Sequence, residues 1–205
     1  MHTEKLHETI KQIFAEGKGL LAADESTNSI HKRFEALGIA QTEENRLAYR
    51  RLLIATPDVS KYISGVIFYD ETLRQEIETG KTFAQYCTEH GIVPGIKVDK
   101  GLIDLPNFPG EKLTLGLDGL KEKLEEYYKL GARFTKWRAV VDVSTSTDSG
   151  VEANMRNLAL YASLAQQAGL VPIIEPEVLY DGTHSIYECT ERLQNTLTHL
   201  FGELV

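Results

Sequence analysis

Phe134-Thr135-Lys136-Trp137-Arg138-Ala139-Val140-Val141 closes on small and β-branched apolar residues, as strands do, yet carries two cations. Side chains two positions apart share a face of a strand. Lys136 and Arg138 therefore face one way, and Trp137, Ala139 and Val141 the other. Three other apolar runs repeat the pattern. Ile96-Lys97-Val98-Asp99 sets Lys97 and Asp99 on one face, and Ile173-Ile174-Glu175-Pro176-Glu177 does the same with Glu175 and Glu177. Leu20-Leu21-Ala22-Ala23-Asp24-Glu25-Ser26 ends with Asp24 and Ser26 sharing a face. Charge inside a strand is costly unless it is paired or used. A habit shared by these runs points to one common charged centre.

The segments between these runs read as helices. Leu6, Ile10, Ile13 and Phe14 form one apolar face over residues 3–16, with Gly17 and Gly19 placed to stop the helix. Ser26, Thr27 and Ser29 open a second helix with Ile30, Phe34 and Leu37 along its stripe. Thr42 reads as the N-cap of a third, with Glu43 and Glu44 in its first turn. Ile63–Tyr69 is a strand, and Leu73, Ile77, Phe83 and Cys87 mark helical pieces broken near Gly80. Residues 101–116, rich in glycine and proline, read as a long loop. Helices carrying Leu120, Leu124 and Tyr127, then Leu158, Tyr161, Ala162 and Ala165, alternate with the remaining strands. Ile186, Leu193, Leu197 and Leu200 mark the last helix.

Strand and helix thus alternate through one domain, residues 1–205, with strands recurring about every 38 residues, a spacing suited to parallel crossover connections. A (β/α)₈ barrel and an open doubly wound sheet both have this order. Charged inner faces favour the barrel, since open parallel sheets are apolar on both faces. No G-x-G-x-x-G fingerprint follows the first strand, which weighs against dinucleotide binding. Eight such units need roughly 300 residues, against about 250 for typical barrels, so the chain is expected to cover the first five βα units of an incomplete barrel. An unclosed barrel would leave strand edges unpaired, and a poorly soluble fragment is the expectation.

The formal charge of −8 argues against binding to nucleic acid or an anionic membrane surface. Cys87 and Cys189 show no metal-ligand spacing and no disulfide framework, and no apolar run approaches a membrane span. A cytoplasmic protein is the expectation. For the charged centre, the competing readings are an internal salt-bridge network and a pocket for an anionic substrate. A neighbouring cation and desolvation both free a lysine amine for nucleophilic work. Residue chemistry alone makes Lys136 the first candidate for a Schiff-base nucleophile and Glu175 its proton carrier. Ser26 and Ser29 are ordinary capping residues, but a helix N-terminus with hydroxyls also suits a phosphate. His31, His90 and His184 read as loop or surface residues, and the cysteines and Trp137 as packing.

Gly17-Lys18-Gly19-Leu20-Leu21-Ala22-Ala23-Asp24-Glu25-Ser26-Thr27-Asn28-Ser29-Ile30 resembles the first strand and loop of class I fructose-bisphosphate aldolases. Thr42–Arg46, Gly95–Gly101, Gly116–Leu120, Lys136-Trp137-Arg138 and Val171–Glu177 resemble the family's later blocks, in the same order. The resemblance implies a (β/α)₈ TIM barrel. It also implies metal-independent, cofactor-free, reversible cleavage of fructose 1,6-bisphosphate into dihydroxyacetone phosphate and glyceraldehyde 3-phosphate, with a sugar phosphate as partner and homo-oligomers as the usual assembly. By the same resemblance Glu175 is the general acid–base, Asp24 handles the C4 hydroxyl proton, and Lys136 supports both electrostatically. Ser26, Ser29 and Lys97 fall where one phosphate is held. Arg33, Arg46 and Arg138 match substrate-site arginines, and Glu177 matches an acid that orients the cations.

Two departures stand out. Asn28 occupies a position where the family commonly has glycine, a change that Asx-type chemistry at a helix start tolerates. The family's Schiff-base lysine belongs to a Leu-Leu-Lys-Pro-Asn-Met block on the sixth strand, which this sequence does not contain. An iminium is the electron sink for bond cleavage, so the chain alone is expected to be inactive. Two alternatives stay open: a transaldolase-like enzyme using Lys136 as nucleophile, and a non-catalytic phosphosugar-binding fragment.

Overall fold

A computed structural model of the chain describes residues 2–204. Helix α1 (His2–Ile13) is followed by strand β1 (Gly19–Ala23), α2 (Thr27–Ala36) and α3 (Glu43–Ile54). A 3₁₀ turn (Val59–Lys61) precedes β2 (Ile63–Phe68), α4 (Asp70–Arg74), the short strands β3 (Glu76–Glu78) and β4 (Lys81–Thr82), and α5 (Phe83–Glu89). The chain continues through β5 (Val93–Lys97), β6 (Leu102–Asp104), β7 (Lys112–Thr114) and α6 (Leu120–Lys129). Strand β8 (Phe134–Val141), α7 (Asp148–Gln167), β9 (Val171–Val178) and α8 (Ile186–Glu203) complete the described elements. Side-chain oxygens of Ser26, Thr42, Thr82, Thr147 and Ser185 each accept a first-turn N–H, so α2, α3, α5, α7 and α8 begin where a hydroxyl satisfies an orphan donor.

Hydrogen bonds join five strands in the order β1-β2-β5-β8-β9, the sequence order of the expected strands. β1 runs parallel to β2 with Ala23 opposite Phe68, and β2 parallel to β5 with Phe68 opposite Ile96. Arg133 N donates to Pro94 O (2.8 Å) and Val98 N to Lys136 O (3.0 Å). Val171 N donates to Arg133 O (3.0 Å) and Leu179 N to Val141 O (2.9 Å). Both ladders climb in the same direction, so they too are parallel. Neighbouring parallel strands separated by helices are the βα repeat read from the alternation. Among the described residues, no helix is long and apolar enough to cross a membrane.

By contact density the chain forms two compact units. The first runs up to Lys97 and adds Glu125–Thr135 and Gly169–Val171; the second comprises Val98–Leu124, Lys136–Ala168 and the stretch from Pro172. In the first, Val66, Phe68, Phe83, Cys87, Ile96 and Phe134 are buried, and the Phe68 and Phe83 rings meet edge-on at 5.8 Å. In the second, Trp137 and Tyr161 are fully buried 5.3 Å apart, and Tyr161 Oη donates to Ile173 O (3.2 Å).

Several expectations are corrected. Residues 101–116 are not a structureless loop: β6 and β7 form an antiparallel hairpin with Leu102 opposite Thr114 and Asp104 opposite Lys112. Pro106, Pro109 and Gly110 lie in its turn, so breakers that suggested a loop mark only the bend. Asn154 of α7 holds this hairpin, donating to Lys112 O (2.9 Å) and accepting from Thr114 N (3.2 Å). The helical pieces expected around Leu73 and Ile77 shrink to the short α4, and Ile77 belongs to β3, paired with β4 around Gly80 at φ +78°. Phe14 (78% exposed) lies past the end of α1, while Thr9 and Ile13 face inward. Leu37 and Ile186, assigned to buried stripes, sit at helix ends and are exposed. On β9, every residue from Pro172 to Val178 is half-buried, so the expected alternation of inner and outer faces is lost there. β9 is last in the strand order and has a strand on one side only.

Gly95 is where the first core is tightest. A Cβ there would lie 2.3 Å from two atoms of the Phe134 ring, which is itself fully buried. Gly95→Ala should therefore cost about 1–3 kcal/mol by overpacking. Gly19→Ala, where a Cβ meets nothing within 4 Å, should change stability by less than about 0.5 kcal/mol. Urea denaturation of the two variants checks the contrast.

Candidate active site

In the second unit, charged residues of β8 and β9 meet as the strand pattern requires. Lys136 and Arg138 are half-buried, whereas Trp137, Ala139 and Val141 between and beyond them are buried. Lys136 Nζ lies 2.9 Å from Glu175 Oε2, with only 13% of the lysine side chain exposed. Arg138 Nε bonds Glu177 Oε2, and the Arg138 backbone N donates to Asp99 Oδ2 (3.3 Å). Asp99 Oδ1 also accepts from Gly101 N (3.1 Å), which anchors that carboxylate by main-chain donors. The bond from Glu177, aided by the charges of Glu175 and Asp99, pushes the Arg138 guanidinium up, against the cost of its burial. Three acids and two bases thus gather in one unit, the two cations of β8 and the two glutamates of β9 pairing at the same two-residue spacing.

The first unit carries the other expected residues. Asp24 directly follows β1 and is 6% exposed. Ser26 caps α2, accepting from Ser29 N (3.3 Å), and its Oγ lies 3.0 Å from Ser29 Oγ. Lys97 is the last residue of β5 and is half-buried. Arg33, largely exposed, pairs with Glu25 Oε1. Arg46 grips Glu71 with two bonds, Nε to Oε2 (2.8 Å) and Nη2 to Oε1 (2.6 Å). Arg33 and Arg46 therefore rest on different carboxylates.

Residue types alone did not single out those partners. Glu25 accepts from Arg33, from Tyr49 Oη (3.1 Å) and from the buried Arg50. Arg46 and Arg50 lie one helical turn apart on α3, a spacing visible in the sequence, but which acids they reach depends on how α3 packs. His31, read as a loop or surface residue, is instead part of α2, and its Nε2 lies 3.1 Å from Arg46 Nη1. A guanidinium only donates, so that imidazole nitrogen is the acceptor. His90 stacks on Tyr86 at 4.1 Å. Burial pushes the Cys87 thiol up to about 12, consistent with a packing role.

A family model described as "Glycolytic: Fructose-bisphosphate aldolase class-I" matches residues 5–205. The "Probable fructose-bisphosphate aldolase class 1" of Xanthomonas campestris is 55% identical over 206 residues, covering all of this chain and 62% of that relative. "Fructose-bisphosphate aldolase 5, cytosolic" of Arabidopsis thaliana is 45% identical over 99% of this chain and 57% of its own length. A solved fructose-bisphosphate aldolase from Plasmodium falciparum, in complex with TRAP and a small molecule inhibitor, superposes with a TM-score of 0.95. It is 46% identical over 99% of this chain and 60% of that one. The chain thus spans about three fifths of the length of the relatives it matches.

The arginine pairs predict a pH dependence. The bond from Arg46 holds the Glu71 carboxyl below the usual range despite partial burial. For Glu25, burial pushes upward, but the bond and charge of Arg50 outweigh it and the carboxyl is also held low. A carboxyl that binds its proton more weakly when folded stabilises the fold fully above the unfolded value. That stabilisation is lost as pH falls through the folded value. Glu71→Gln should therefore be less stable than the parent at neutral pH, with the gap closing as pH falls below about 4. Denaturation midpoints across that range read the effect.

Proposed function

Because the chain belongs to the class I fructose-bisphosphate aldolase family, we propose that the protein cleaves fructose 1,6-bisphosphate reversibly, through a Schiff base and without a metal, to dihydroxyacetone phosphate and glyceraldehyde 3-phosphate. The observation that carries this reading is the Lys136–Glu175 pair at 2.9 Å beside Arg138–Glu177 on the adjacent strands β8 and β9. A simple packing role gives little reason to place such pairs inside a parallel sheet, because burying them costs desolvation that apolar residues avoid. An anionic sugar that must exchange protons does give a reason.

In this reading an enzyme amine adds to the C2 carbonyl, and Glu175 gives a proton to the leaving hydroxyl so that water departs and an iminium forms. Asp24 takes the C4 hydroxyl proton; the C3–C4 bond breaks and its electron pair flows into the iminium, giving an enamine and free glyceraldehyde 3-phosphate. Protonation at C3 and hydrolysis of the iminium, again with Glu175 moving protons, release dihydroxyacetone phosphate. Lys136 keeps Glu175 oriented and contributes positive charge, and Glu177 orients Arg138 toward the substrate. Ser26, Ser29 and Lys97 hold one phosphate, with Arg33 and Arg46 as further anion ligands. The amine itself is not Lys136 in this reading; by the family resemblance it is the lysine of the sixth-strand block, which this sequence does not contain. A cytoplasmic location belongs to the same proposal and is supported by the cytosolic Arabidopsis relative.

In a protein that carries this chain together with the sixth-strand lysine, Glu175→Gln should lower kcat for fructose 1,6-bisphosphate by about 10²–10⁴-fold, while chelators leave the parent rate unchanged. Borohydride added with dihydroxyacetone phosphate should leave Lys136 and Lys97 unlabelled. Mapping an adduct to Lys136 by mass spectrometry would transfer the nucleophile to β8 and favour the transaldolase-like reading. Sugar-phosphate binding with no adduct and no turnover would leave only a binding function.

A further inference from the structure

Arg50 is the most buried charged side chain of the first unit, 1% exposed, and its guanidinium grips a single residue twice. Nη1 bonds Glu25 Oε2, and Nη2 donates to the Glu25 backbone oxygen at 2.8 Å. Its Nε is buried without a protein acceptor, a cost accepted for that grip. The residue so held stands between Asp24 and Ser26. We propose that Arg50 and Glu25 are positioning residues that set the β1–α2 loop for phosphate binding, with Arg50 acting through the Glu25–Ser26 peptide plane.

The geometry follows from the trans peptide. C=O and N–H of one peptide unit point in opposite directions. With the Glu25 carbonyl turned to Arg50, the Ser26 N–H is turned away from it, on the loop where Ser26 Oγ caps α2 beside Ser29 Oγ. The Glu25 side chain is fixed as firmly as its backbone. Its Oε1 takes Arg33 and Tyr49, and Oε2 takes Arg50, so rotation would break three bonds at once. Tyr49 is itself wedged by Phe34 of α2 at 6.1 Å, edge-on. Arg33 is the loose member. Its side chain is 60% exposed, so it is free to leave Glu25 for an incoming phosphate without disturbing the Arg50 clamp.

A lysine has one ammonium and cannot reproduce a fork that spans a carboxylate and a carbonyl. The inference rests on the sugar-phosphate reading above, and two separate measurements tell their failures apart. Turnover of fructose 1,6-bisphosphate by a protein that carries this chain together with the sixth-strand lysine tests the reading itself, and KM is read on that protein. Calorimetric binding of inorganic phosphate by Arg50→Lys and Glu25→Gln tests the clamp. Both variants should weaken phosphate by about tenfold and raise KM by a similar factor, more than kcat falls. Arg50→Met should behave likewise; if it does not fold, the other two variants decide. Phosphate affinity and KM within about twofold of the parent, with only a lower melting temperature, would make the clamp merely structural and overturn the proposal.

Discussion

The constraint on which this structure depends is the cost of putting charge into a parallel sheet. Lys136 and Arg138 alternate with buried neighbours along β8, and only 13% of the Lys136 side chain is exposed. Their charge has to be met in place. β9 meets it with Glu175 and Glu177 at the same two-residue spacing. Period-two geometry on two adjacent parallel strands brings like positions side by side, and opposite charges at those positions turn a penalty into paired contacts. The sheet, the pairing and the candidate chemistry are consequences of one alternation.

The first unit solves a related problem differently. Arg33 of α2 and Arg46 and Arg50 of α3 come from helices, and they are tethered by Glu25 in the β1–α2 loop and Glu71 in the short α4. The tethers are graded. Arg50 is sealed, Arg46 is held by two bonds with His31 alongside, and Arg33 is largely open to solvent. Guanidinium groups suit that task because a planar fork fixes direction as well as charge. An exposed pair such as Arg33–Glu25 contributes little to stability and is cheap to open, while breaking a sealed pair leaves a charge stranded.

Much of the fold was legible from residue order. Hydroxyls at Ser26 and Thr42 marked helix starts because a side-chain oxygen is the cheapest partner for an orphan N–H. The parallel strands were visible because each is a short apolar run separated by a helical stripe. The two hairpins were not. In β3–β4 and β6–β7 the strands are at most three residues long, too short for a period to show, and their prolines and glycines advertise only the turn. Burial at the helix ends was misjudged for Phe14, Leu37 and Ile186, since a stripe drawn by spacing does not say where the partner surface stops.

By itself the sequence determined the βα alternation, the charged faces of the strands, and the identity of the acids and bases that β8 and β9 share. Those follow from backbone periodicity, which is local. Only the tertiary structure decided which carboxylate each arginine takes, that Glu25 rather than Asp24 gathers Arg33, Tyr49 and Arg50, and that His31 accepts from Arg46. Such pairings depend on how α2, α3 and α4 are laid against one another. No spacing rule along a single element carries that information.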